Sequence, residues 1–92
     1  MDKITVILVD DHPVVRTGIK SLIEDSLEIE IIAETSNGEE ALTLVEFNRP
    51  NVLITDISMP LMTGIELAEV VSKKFPETKV LFLTIMWRRN IF

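Results

Sequence analysis

The sequence contains no cysteine and a single histidine, and it sets nine basic residues against fifteen acidic ones. Without thiols there is no disulfide framework and no thiolate metal site, and one imidazole cannot build a histidine metal cluster within one chain. The net charge of −6 argues against nucleic acid as a direct partner, because neutralising phosphates needs a basic face. Arg88 and Arg89 alone do not make one. Long apolar runs are missing too. No stretch reaches the roughly 18 continuous apolar residues of a membrane span, and the opening MDKITVILVDD turns acidic too early for a secretion signal. The expectation is a cytoplasmic domain with no membrane partner. No internal repeat, linker or low-complexity stretch breaks the chain, and its 92 residues leave room for one domain only.

What is there alternates. Short apolar runs rich in Ile, Val and Leu, at Ile4–Val9, Ile29–Ala33, Val52–Thr55 and Val80–Thr84, have the length of strands. Between them lie three amphipathic segments. Val15, Ile19, Leu22 and Ile23 share a face after Pro13, which suits a first helical turn because its φ is already helical and it has no N–H to leave unpaired. Ser36 with Glu39, and Thr63 with Glu66, each have the spacing of a capping box before an apolar face. Pro50 and Pro76 close the second and third helices. The predicted order is βαβαβαβ. Strands separated by helices must cross over to lie parallel, so this order predicts an α/β doubly wound sheet with helices on both faces.

Acidic residues fall where such a sheet holds its ligands. Asp10 and Asp11 follow the first strand and Asp56 ends the third, which puts all three at carboxyl ends of strands. An isolated acidic pair reads first as a helix cap near Pro13. The third carboxylate at a matching strand end reverses that reading: three converging carboxylates repel unless a cation joins them, and a hard ion such as Mg²⁺ takes oxygen ligands of this kind. Asp56 is also placed to act as a nucleophile, since a carboxylate can attack phosphorus to give an acyl phosphate when a cation screens the approaching charge. Met59, Pro60 and Gly64 shape the turn that follows. A lone histidine beside a proline at a helix start is more often a cap or packing residue than a catalytic base, and His12 is given no role.

The stretches VILVDDHPVVRTGIKSLI, NVLITDISMPLMTGIEL and KVLFLT together resemble the receiver domain of bacterial two-component response regulators, in the NarL/FixJ (LuxR-type) branch. The resemblance runs from Ile4 to about Thr84, and the acidic pair, the Asp-x-x-Met-Pro-x-x-x-Gly pattern of Asp56 to Gly64 and the strand-ending Thr84 stand in the family's order and spacing. It implies a flavodoxin/CheY-like sheet in strand order 2-1-3-4 and a signalling module that is not an enzyme. It further implies that Asp56 is phosphorylated from a sensor histidine kinase, that Asp11 binds Mg²⁺ directly and Asp10 through water, and that the Ser58 main-chain carbonyl completes the protein's share of the shell. Thr84 would be the switch hydroxyl. The parent regulator would bind DNA through a separate helix-turn-helix domain.

The family pattern stops after Thr84. A complete receiver continues to a fourth helix, a fifth strand ending in a lysine that pairs with the phosphoryl group, an aromatic switch residue and a fifth helix. Lys79 starts a strand, at the wrong end of the sheet, and Lys73 and Lys74 lie on the third helix, so none of them replaces that lysine. The expectation is therefore a receiver truncated at residues 1–84 with an atypical tail at 85–92 and impaired phosphorylation. Either a base lost near the codon of Ile85 has shifted the frame, or the chain is a fragment of a longer regulator. The fourth strand then becomes a sheet edge, and a homodimer through that strand and the tail, with Trp87, Ile91 and Phe92 across the seam, would cover it. Two other functions compete. One is an interaction module that docks a partner without being switched. The other is a phosphatase with an aspartate nucleophile, which needs a second aspartate two residues on, where this sequence has Ser58.

Overall fold

The computed structural model describes residues 2–83. Four strands and three helices alternate along them: β1 (Ile4–Val9), α1 (Pro13–Ile23), β2 (Ile29–Thr35), α2 (Gly38–Asn48), β3 (Val52–Asp56), α3 (Gly64–Lys74) and β4 (Lys79–Leu83). All strand pairs are parallel and the order is β2-β1-β3-β4. Thr84 and the tail expected at 85–92 lie outside the described residues.

The sheet reverses its winding direction after β1. The step from β1 to β2 moves one way, and the steps to β3 and β4 move the other. With right-handed crossovers, α1 must cover one face while α2 and α3 share the opposite one. The core follows from that division. Ile7, Val9 and Leu53 meet Ala41 and Val45 of α2 and Leu67 and Val71 of α3, closed by Met59 and Phe75. In β1 the four residues Val6–Val9 are all buried, the continuous apolar run of an inner parallel strand covered on both sides. Each fully buried Val, Leu or Ile contributes about 1.5–3 kcal/mol. The α1 layer is lighter. None of its residues is buried, and Leu22, expected on the inward face, is 84% exposed.

The caps show where local chemistry departs from the expected pattern. Thr63 and Glu66 form a complete capping box at the start of α3. At α2 the cap sits one residue later than the Ser36–Glu39 spacing predicts: Asn37 Oδ1 accepts from the Glu40 N–H at 2.8 Å. The strand explains the shift. β2 runs two residues beyond Ala33, to Thr35, whose hydroxyl donates to the Glu40 carboxylate and thereby fixes the chain entering the helix. α2 ends on Arg49 in the left-handed region at φ 46°, with its guanidinium over the Phe75 ring at 4.9 Å, and Pro50 prevents continuation.

Candidate functional site

The reversal of winding opens a crevice beyond the carboxyl ends of β1 and β3. These strands pair in register with Val9 opposite Thr55, so the residues that follow, Asp10 and Asp56, leave the sheet side by side. Asp10 is 2% exposed, and its N–H donates to the Thr35 carbonyl at 3.1 Å. Asp11 and Asp56 are half-buried. One donor atom from each of Asp10, Asp11, Asp56 and His12 falls within a cluster spanning 4.8 Å.

The loop after β3 is built to hold Asp56 at the rim. Met59 inserts into the core and anchors it. Pro60 then begins a three-residue turn closed by the Met62 N–H on the Pro60 carbonyl at 2.8 Å, with Leu61 at φ 72° and fully outside. At the far end the Gly64 N–H donates to the Ile57 carbonyl at 2.8 Å, and a Cβ on Gly64 would overlap the Asp56 carbonyl oxygen. The glycine is required by this close approach of α3 to the end of β3. Ser58 is exposed, and its N–H reaches toward Asp56 Oδ1 at 3.4 Å.

His12 carries more than the sequence suggested. It is the N-cap residue of α1, but its side chain makes no capping bond. The ring turns instead to the carboxylates, with Nδ1 at 3.1 Å from Asp10 Oδ1, 3.1 Å from Asp11 Oδ1 and 4.0 Å from Asp56 Oδ2. The hydrogen bond to Asp10, then the charge of Asp11, raise the imidazole pKa above its ordinary 6.5. Asp10 Oδ1 also accepts the His12 main-chain N–H at 2.7 Å, whereas Asp11 Oδ1 is buried without a hydrogen-bond partner. That orphaned oxygen, beside two further carboxylates, fits a hard divalent cation such as Mg²⁺.

Arg16, which the sequence reading passed over, braces the crevice from α1. Its guanidinium donates to the Asp10 main-chain carbonyl and to Glu34 Oε1, and Lys20 holds the other Glu34 oxygen. The Lys20 hydrogen bond, ahead of that from Arg16, keeps the Glu34 carboxyl below its usual value. Helix spacing puts Arg16 and Lys20 one turn apart on the same face, which is the signal that could have marked them.

The model for the response regulator receiver domain matches residues 6–90. The chain belongs to that family. Among curated relatives, the transcriptional regulatory protein DegU of Brevibacillus brevis is 37% identical over 84 residues, covering 91% of this chain and 36% of its own length. The nitrate/nitrite response regulator protein NarL of Escherichia coli K12 is 35% identical over 81 residues, with 88% and 38% covered. This receiver thus spans well under half the length of either. Among solved structures, the signal receiver domain of NarL from Mycobacterium tuberculosis superposes with a TM-score of 0.87 at 30% identity, covering 99% of this chain and 73% of that one. The isolated receiver domain of RcsB from Salmonella enterica serovar Typhimurium, with the phosphomimetic BeF3−, gives 0.84 at 29% identity, with 97% and 65% covered. The CheY-like fold and its strand order agree with these neighbours.

Proposed function

We propose that this receiver is the phosphoacceptor module of a two-component response regulator, with Asp56 the aspartate that takes a phosphoryl group from a sensor histidine kinase. The observation that carries the reading is the convergence of Asp10, Asp11 and Asp56 at the carboxyl ends of β1 and β3, with a buried Asp11 oxygen that has no hydrogen-bond partner. Asp11, Asp56 and the Ser58 main-chain carbonyl would hold Mg²⁺ directly, and Asp10 through water. When bound, the ion supplies positive charge that screens phosphate oxygens from the carboxylates. The rim position of Asp56 leaves its carboxylate open to a donor, while the Ser58 N–H beside Oδ1 helps to orient it. In the transfer, an Asp56 oxygen bonds to phosphorus as the bond from phosphorus to the donor's imidazole nitrogen breaks, and that nitrogen keeps the electron pair and takes up a proton from solvent.

No described lysine lies near the rim. Lys20 is engaged by Glu34, Lys73 and Lys74 end α3, and Lys79 begins β4 at the opposite edge of the sheet. A weak, short-lived adduct is therefore expected when the chain is incubated with a small-molecule phosphodonor and Mg²⁺ and weighed intact. Asp56→Asn should gain none. An adduct of equal yield in Asp56→Asn would overturn the assignment.

We infer further that the regulator acts on transcription through a separate domain, a reading supported by relatives named as transcriptional regulators. The receiver's charge of −6 opposes direct contact with DNA. A cytoplasmic setting belongs to the same proposal; no helix among the described residues is long and apolar enough to cross a membrane. Thr84 as the switch hydroxyl remains part of the proposal. So does a homodimer through β4, which is supported by the exposure of Leu81 and Phe82.

A further inference from the structure

We propose that Arg16, held in place by Glu34, is a positioning residue for phosphoryl uptake: it fixes the peptide that joins Asp10 to Asp11 and thereby the direction of the Asp11 carboxylate. The inference rests on the site proposed above and adds to it a side chain that acts through the main chain.

Asp10 stands one residue past β1, where the paired positions to β2 and β3 have ended at Val9. Its N–H still finds the Thr35 carbonyl at 3.1 Å, but no described main-chain N–H bonds its own carbonyl. Asp10 is 2% exposed, and a carbonyl buried to that degree needs a partner. The Arg16 guanidinium supplies it through Nη1. The Asp10 carbonyl and the Asp11 N–H belong to one planar peptide unit, so holding the first sets the direction in which the Asp11 side chain leaves the chain.

Helix geometry brings Arg16 to this carbonyl. Its N–H closes the first turn of α1 on the His12 carbonyl at 3.1 Å, and helical side chains tilt toward the N-terminus, which carries the guanidinium back over that turn. Glu34 Oε1 then accepts from Nε at 3.0 Å, while Lys20, one turn further along α1, donates to Oε2. Glu34 and Thr35 are neighbours at the end of β2, so that strand end fixes both sides of Asp10: the N–H directly and the carbonyl through Arg16. An exposed ion pair by itself does little for a fold. This one is only 20% exposed on Arg16 and 33% on Glu34, and its guanidinium is also bonded to the peptide between two carboxylates of the crevice. Lysine is no substitute, because an ammonium on a flexible stem lacks the planar fork that holds two acceptors at a fixed angle.

The test compares wild type with Arg16→Lys, Glu34→Gln and the double variant. Amide NMR spectra of the metal-free chain read the peptide directly, calorimetry reads Mg²⁺ affinity, and intact mass reads phosphoryl uptake from acetyl phosphate. The Asp11 amide resonance should move in Arg16→Lys before any metal is added. Mg²⁺ affinity should fall about tenfold in each single variant, and excess Mg²⁺ should bring uptake back to within about twofold of wild type. The double variant should lose no more than either single one, because the two residues act as a unit. Recovery at high Mg²⁺ is the sign of positioning: a variant that is merely less folded loses uptake at every Mg²⁺ concentration, and Glu34→Gln reports the effect should Arg16→Lys fail to fold. An Asp11 amide that stays in place, or Mg²⁺ affinity in folded Arg16→Lys within about twofold of wild type, would overturn the role. Asp11→Asn separates this from the underlying reading. Mg²⁺ binding that survives Asp11→Asn defeats the cation site and the positioning role together, whereas binding lost there and unchanged in Arg16→Lys defeats the positioning role alone.

Discussion

Gly64 has no left-handed backbone angle to account for it, since no glycine in the described chain has positive φ. Space explains it instead: a single methyl group there would strike the main chain of Asp56 and Ile57, which cannot rotate away as a side chain could. Gly64→Ala should therefore cost on the order of 2–3 kcal/mol in urea unfolding, and it should displace Asp56 enough to lower phosphoryl uptake as well. A melt unchanged from wild type would show that α3 can slide outward freely. His12 gives a pH prediction. Its pKa is raised by the Asp10 hydrogen bond and then by Asp11, so by linkage its contribution to stability is fully present below 6.5 and is lost as pH rises through the folded value. The ring protons, followed by NMR in chelated buffer, should titrate above 6.5, and Asp10→Ala should bring the midpoint down; a midpoint at or below 6.5 in wild type would contradict this geometry. The carboxylates were legible in the sequence because strand ends locate them. The imidazole and Arg16 were not, because no periodicity says which way a side chain at a helix start will turn.

At the scale of the element, the two rim helices differ in how well their starts could be read. α3 begins on a reciprocal cap whose two halves are fixed by spacing alone, so Thr63→Ala should cost about 1 kcal/mol. For α2 the spacing pointed to Ser36, whereas Asn37 holds the helix because β2 continues to Thr35 and delays its start. The strand's length is a property of the sheet: Val9 of β1 needs Thr35 as its partner, and local propensity does not contain that requirement. Asn37→Ala should lower stability by about 1 kcal/mol in the same urea series, while Ser36→Ala stays within about 0.5 kcal/mol. The reverse order would restore the earlier reading. The strands themselves were the clearest part of the sequence, since a buried parallel strand must be apolar on both faces and β1 is.

For the whole molecule, the alternation of runs and amphipathic segments was enough to give the parallel sheet. The partition of burial between its two faces was not. Amphipathic spacing predicts an inward face for α1 as for α2 and α3, yet the observed core gathers on the α2–α3 side. The proposed dimer belongs to this scale. β4 pairs with β3 on one side, and Leu81 and Phe82 stand 55% and 44% exposed. Sedimentation velocity at about 10 µM should show a dimer if the interface holds at micromolar affinity or better. A single monomer boundary with cooperative thermal unfolding would sink it.

The unequal layers also set two clocks. Local opening is cheapest where few apolar side chains are covered, so amide hydrogens of α1 should trade with solvent well before those of β1 and β3. Asp10 and Asp56 belong to the slow part of the molecule, and His12 is the N-cap residue of the fast one. Each time α1 frays, the crevice keeps its acidic floor and loses only the imidazole beside it, without the sheet ever opening.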